Sequence, residues 1–449
     1  MLKKSLGMGG KEPAKAAMAL VEANRAASAS MERLWKYVGG LPSAREIRAV
    51  CVIALIVYPL IAAASAILET KGMQVGTYTL GGDFKAWYVV GKIMNRYPHD
   101  RIYDQVLQSN LLRELNPKWD GALPYARAPF LALLFQPLAK LPFLLAYFVW
   151  VIISVVLYLA GLRAIWPAGG RFRLSDTKVL LALSFPPFLA DNLVAGQISA
   201  IAFFGFAACI ALEKSGRSLA AGIALAICAN KPTLLVLALP MAVISGRLRL
   251  LAGFAAGACT LTAVSLYAVG TAGCVAWLHM LSGFASAAVG SHTVFRLIKY
   301  VDINTFWRLL FGGQTRVGTE LSLAVSVLGF VWLGASWWRW RRRGGSTDLL
   351  WSATLAWTLV VGAYTAIYDT ILIVPAVILM AGTVHDNRQF ASLATLVGAV
   401  YTAAFFTQPV ADAIGLQVFT PLLAVMGAFA LRSYGSHSLP ADHLDGRIP

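Results

Sequence analysis

The sequence predicts an all-α protein that crosses a membrane many times. Three observations carry this. Of 449 residues, 58% are hydrophobic and 13% charged, against about 45–50% and about 25% in soluble domains. Mean hydropathy is +0.67. Uncharged runs close to the ~20 residues that span a hydrocarbon core recur along the chain, and in lipid such runs must satisfy their own backbone groups as helices. The net charge of +17 then reads as Lys and Arg gathered in cytoplasmic loops, not as a nucleic-acid footprint. The five cysteines (Cys51, Cys209, Cys228, Cys259 and Cys274) lie in or beside apolar runs without paired spacing. They read as small core residues, neither a disulfide framework nor a metal set.

The elements follow in order. The stretch "EPAKAAMALVEANRAASASMERLWKYVGG" favours helix, stops at Gly39–Gly40 and belongs to a cytoplasmic extension over 1–47. That extension is too long for the positive region of a signal peptide, so Val50 to Leu68 reads as a retained span with the N-terminus inside. A first external loop covers 69–128. In "APFLALLFQPLAKLPFLLAYFVWVIISVVLYLAGLRAI", the basic loop that follows requires one crossing, Phe143 to Ile165. Pro129 to Leu141 is left as a half-buried external element, broken at Pro137 and Pro142. Val179 to Ala190 leads out, "DNLVAGQ" is external, and Ile198 to Leu212 returns.

The stretch "LAAGIALAICANKPTLLVLALPMAVIS" lies between Arg217 and the pair Arg247, Arg249. It therefore crosses twice, as short helices meeting at Asn230-Lys231-Pro232. A run near Leu250–Val269 exits to a second external loop, 271–317, and Leu321 to Trp338 returns to "WWRWRRRGG". Runs near 349–366, 370–382, 391–406 and 413–431 bring the tail, 433–449, inside. The expectation is about twelve spans with two long external loops, divided as a module over 48–270 and five spans over 318–432. Short spans imply a cavity open to the outer side, with Asn230 and Lys231 at its wall. A Lys there is a functional-site candidate; the alternative is a helix-end Lys reaching for the interface.

Chemistry concentrates first in "GGDFKAWYVVGKIMNRYPHDRIYD". Asp83 stands at the membrane boundary, where a carboxylate suits a general base or a helix N-cap. The flanking "FKAWYVVGKIMNRYP" and "YDQVLQSNLLRELN" read as amphipathic helices on the outer leaflet, with Lys85, Lys92 and Arg101 as their ordinary charges. His99-Asp100 reads as a loop hydrogen bond. In "GSHTVFRLIKY", His292 with Arg296 and Lys299 one and two helical turns on can line an anion site or rest on anionic lipid. Walker, HExxH, CxxC and GxSxG patterns are missing, as is a DxD pair, so neither a cofactor nor a metal is expected.

Four stretches in order, the one above followed by "YARAPFLALLFQPLAKLP", "NLVAGQISAIAF" and "GIALAICANKPTLLVLALPMAV", resemble glycosyltransferase family 87. That family includes polyprenol-phosphate-mannose-dependent mannosyltransferases. The resemblance runs from about Gly81 to Val269 and implies the GT-C architecture, in which the first external loop carries a catalytic Asp; by position this is Asp83. It implies a polyprenyl-phosphate sugar donor, a lipid or glycan acceptor, and a bacterial plasma-membrane enzyme whose site faces the periplasm. Lys231, Arg127 and Arg296 suit the lipid phosphate, and His292, Gln197, Asn230 and Tyr125 complete the candidate substrate-binding set. The N-terminal extension has no counterpart in the family. The rival class is a transporter or flippase, which broken helices with a mid-membrane Lys would also suit; no inverted repeat accompanies them.

Overall fold

The computed structural model describes residues 44–70, 80–117, 123–167, 172–290, 297–384 and 386–437. The extension before Ala44 lies outside the described residues, and so do His292 and Arg296. Val50–Pro449 forms one unit, distinct from Met1–Ala49.

The chain begins with α1 (Ala44–Thr70), followed by α2 (Phe84–Arg96), a 3-10 turn at His99–Tyr103 and α3 (Gln105–Leu115). Next come α4 (Ala132–Leu138), α5 (Phe143–Ala164), α6 (Thr177–Leu183) and a π-helical segment, Pro187–Val194. They lead to α7 (Ser199–Lys214), α8 (Ser218–Ala226), α9 (Ala238–Ile244) and α10 (Leu248–Gly290). The last six are α11 (Ile303–Leu310), α12 (Arg316–Arg343), α13 (Thr347–Val361), α14 (Ile373–Ala381), α15 (Asn387–Ile414) and α16 (Phe419–His437). Among the described residues the only β-type pairing is an isolated bridge between Tyr300 and Ala366.

Five helices, α1, α5, α10, α12 and α15, carry apolar stretches long enough to cross a membrane. Five shorter apolar segments join them: Pro129–Leu138, Ser218–Asn230, Pro232–Ile244, Thr347–Val361 and Ile367–Ala381. These stand where about twelve spans were counted. The long helices turn apolar side chains outward, such as Ile53 and Leu60 on α1 and Phe148 and Ile152 on α5, as a lipid-facing surface requires.

The crossing expected at Phe143–Ile165 is α5, and the proline-broken element before it is a 3-10 turn continued by α4. Three features differ from the sequence reading. The segment Val179–Ala190 is not one helix, because Pro186 and Pro187 each lack an N–H and break it into α6 and the π-helical piece. The second external loop is partly helical: Gly270, at φ 67, bends α10, and the uncharged residues beyond it stay helical to Gly290. Finally, α2 is covered by protein along most of its length. It is buried from Phe84 to Gly91, Lys85 included, and Gly91 meets the carbonyl of Phe135 so closely that a methyl group there would come within 2.3 Å. Helical amphipathicity marks an interface with protein as readily as one with lipid.

Small residues also set the approach of α8 to α10. A Cβ on Gly222 would stand 2.0 Å from the Leu250 carbonyl, and one on Gly253 would stand 2.0 Å from that of Leu219. Gly253 and Gly257 give α10 the small-xxx-small spacing that lets helix backbones touch where no hydrophobic effect drives them together.

Candidate active site

Asp83 closes a turn that is strapped to the end of the π-helical segment. Gly81 N donates to Val194 O at 2.8 Å, and Asp83 N and Phe84 N share Ala195 O at 2.8 and 2.9 Å. Gly81 adopts φ 64 and Gly196 φ 76, and any Cβ on Gly196 would fall 2.6 Å from that of Phe84. The turn thus needs glycine on both sides. Asp83 occupies the N-cap position of α2, yet its side chain makes no bond to the helix. Instead Oδ2 accepts from Gln197 Nε2 at 2.8 Å. The carboxylate is half-buried and aimed by a neighbour, an arrangement that suits chemistry better than capping.

Lys231 is reached through a broken helix. After α8 the chain makes a 3-10 turn over Ile227–Asn230, leaves helical space at Lys231 (φ −135, ψ 85), and resumes as a 3-10 turn over Pro232–Leu235. Pro232 enforces this, since its ring excludes the helical conformation from the residue before it. Lys231 Nζ forms a buried ion pair with Asp369 Oδ2, their side chains only 4% and 2% exposed. The ammonium also faces the Tyr364 carbonyl at 3.5 Å and the ring of Tyr368 at 5.1 Å. Reaching for a distant interface is thereby ruled out.

Asp369 is itself held by Ala366 N at 3.0 Å and by Ser199 Oγ at 3.4 Å. Tyr364 carries the only positive φ among the described non-glycine residues, 44°, a strained conformation of the kind that collects at functional sites. Arg127 is buried; its Nη2 meets the Tyr368 hydroxyl at 3.4 Å and its guanidinium lies 5.9 Å from the Trp87 ring.

The two halves meet through the start of α7. Gln197 holds Asp83 and Ser199, two residues on, holds Asp369. Gln197 and Ser199 are thus a link of two residues, about 7 Å of chain at most, between the carboxylate of Asp83 and the Lys231–Asp369 pair. Asp191 is buried on the π-helical segment within electrostatic reach of both Asp83 and Asp369.

The site does not use every candidate. Tyr125 is buried among aromatic rings, 5.8 Å from Trp87 and 5.6 Å from Tyr103, and its hydroxyl donates to Ala128 O. Asn230 donates to Ile227 O and finishes the 3-10 turn. His99 makes a hydrogen bond that ties its turn to α10, Nδ1 to Ala268 O at 2.9 Å. Asp302 caps α11, accepting from Thr305 N at 2.9 Å and from its hydroxyl at 3.0 Å. Burial pushes its carboxyl up to about 6 while the Thr305 contacts pull the other way.

Asp369, Ser199, Tyr364, Tyr368 and Asp191 escaped the sequence reading. For Asp369 a signal existed: it is the lone acidic residue between Asp348 and Asp386, and a carboxylate inside an apolar run is costly unless it serves something.

No curated protein and no solved structure matches the chain significantly. The sequence profile of glycosyltransferase family 87 does match, over residues 125–366. The match begins beyond Asp83 but takes in Arg127, Gln197, Ser199, Asn230, Lys231 and Tyr364. It also extends past Val269, through the second loop, farther than the four stretches suggested. With apolar membrane-length helices and a match over more than half its length, the chain belongs to glycosyltransferase family 87 and is a membrane glycosyltransferase.

Proposed function

We propose that the protein transfers a hexose, mannose-like, from a polyprenyl-phosphate donor to a lipid or glycan acceptor at the outer face of a bacterial plasma membrane. Asp83 takes the proton of the acceptor hydroxyl as its oxygen bonds to the anomeric carbon. The bond from that carbon to the phosphate oxygen breaks, and the electron pair leaves with the lipid phosphate. One displacement inverts the anomeric centre. The observation that carries this reading is the pairing of groups across Gln197 and Ser199: a half-buried carboxylate held by Gln197 on one side, the buried Lys231–Asp369 ion pair on the other.

Charge developing on the departing phosphate needs fixed donors in a dry setting. Arg127 offers a planar fork matched to phosphate oxygens, and Lys231 adds a further N–H beyond those used on Asp369 and Tyr364. A lipid phosphate is a good leaving group by itself, so no step requires a nucleotide.

The donor is tested with purified protein, labelled polyprenyl-phosphate mannose and a membrane lipid extract. Label should move to a new extractable product. Transfer from a nucleotide sugar alone would overturn the donor assignment.

Sidedness is tested by cysteine labelling in a background with all five native cysteines replaced by Ala. Gln314→Cys, ahead of α12, should react with an impermeant reagent from outside, and Ser215→Cys, after α7, should not. The reverse pattern would invert the proposed orientation.

A further inference from the structure

A second built cavity lies at the opposite end of α7 from Asp83, with a volume of about 420 Å³. Its lining includes Glu213, Lys214, Arg247, Arg249, Trp340 and Trp351. Arg247 is the centre. Its side chain is 7% exposed, and its guanidinium lies 3.8 Å from the Trp337 ring, 4.9 Å from Trp340 and 5.4 Å from Trp351. Nη1 donates to Glu213 Oε2 at 3.0 Å, and Trp351 Nε1 donates to the same oxygen at 2.8 Å. Nε and Nη2 of Arg247 are buried without a partner. Leaving charged N–H groups unsatisfied in a protein interior is expensive, and here they stand against the tryptophan rings beside the cavity.

The backbone points the same way. Three helices begin at this cavity: α8 at Ser218, α10 at Leu248 and α13 at Thr347. Each brings the positive end of its dipole and its first N–H groups. At α8 no side chain caps them, whereas at α10 Leu248 N already donates to Gly246 O at 2.9 Å and at α13 Leu349 N donates to the Ser346 hydroxyl at 3.4 Å. Lys214 adds charge, although it is paired with Asp348 at 2.8 Å, and Arg249 stands exposed at the rim. Arg341 packs its guanidinium over Gly246, also in the lining. Glu213 is the opposing carboxylate, already occupied by Arg247 and Trp351.

We propose that this cavity binds a phosphate-bearing anion, held by Arg247 and the three helix starts, at a site separate from Asp83 and Lys231. Convergent helix N-termini with a buried guanidinium form the donor set that phosphate selects. The aromatic walls would pack against the glycerol and upper chain of an anionic phospholipid, and basic pockets of this kind recognise lipid headgroups. Free phosphate shares the recognition chemistry, and the experiment separates the two sources.

Full-length protein is delipidated in detergent and titrated with phosphatidylglycerol or phosphatidylcholine, with bound lipid counted by native mass spectrometry. The wild type should retain phosphatidylglycerol at least tenfold more tightly than phosphatidylcholine. Arg247→Gln should remove that preference. Arg249→Gln, at the exposed rim, should weaken it several-fold while leaving the tryptophan stack intact, which keeps the test informative if Arg247→Gln folds poorly. In a parallel arm inorganic phosphate is added. A rise in melting temperature for the wild type that is lost in Arg249→Gln, together with displacement of phosphatidylglycerol, identifies the free anion as ligand. Equal lipid retention by the wild type and Arg249→Gln, with no response to phosphate, overturns the proposal.

Discussion

Asp83→Asn should leave a folded, donor-binding protein whose transfer rate falls by about 10²–10⁴-fold, the usual contribution of a positioned base. The substitution keeps the shape of the side chain and an oxygen that can still accept from Gln197 Nε2. Only the capacity to take a proton is lost. Because the carboxylate caps nothing, the melting temperature should scarcely move, and this separates the catalytic role from a structural one. The measurement is single-turnover transfer in liposomes beside a binding titration with the donor. A rate within a few-fold of wild type would dismiss Asp83 as the base. The search would then pass to the buried Asp191; Asp302, a helix cap, is already committed.

The second large effect is at Lys231. Lys231→Ala should abolish measurable donor use, and it should also destabilise the protein, since removing one partner of a buried pair costs about 3–5 kcal/mol by stranding the other. The two losses can be divided. Lys231→Met combined with Asp369→Leu replaces the pair by apolar groups of similar size and should recover stability, as such replacements often do. Donor binding should stay lost in that double variant. If the double variant binds donor as the wild type does, the pair is architectural and the phosphate is held elsewhere, by Arg127. Lys231→Arg should keep part of the function with altered geometry.

What the sequence made legible follows from the range of the interactions. The break at Asn230-Lys231-Pro232 was readable because Pro acts on its own neighbour. The span at Phe143–Ile165 was readable because basic loops report their side. Asp83 stood out by its place in "GGDF", and Gln197 by a nearby motif. Their contact, across 114 positions, was not readable. Nor was the partnership of Lys231 with Asp369, 138 positions away, which only packing creates. Lys85 misled because amphipathic spacing cannot say whether a polar face meets lipid headgroups or other helices.

One consequence concerns leverage. Helix α7 is a rod of about 24 Å, from 16 residues at ~1.5 Å each. Its first residues touch the groups around Asp83, and its last touch the tryptophan cage around Arg247. Rotating such a rod by about 3° about its far end sweeps the near end through about 1 Å. Misplacements of that size in a reacting constellation can cost about a hundredfold in rate. Bilayer thickness tilts helices, so on the proposed mechanism a change of lipid chain length that tilts α7 should change the transfer rate, which single-turnover transfer in liposomes of graded thickness would read.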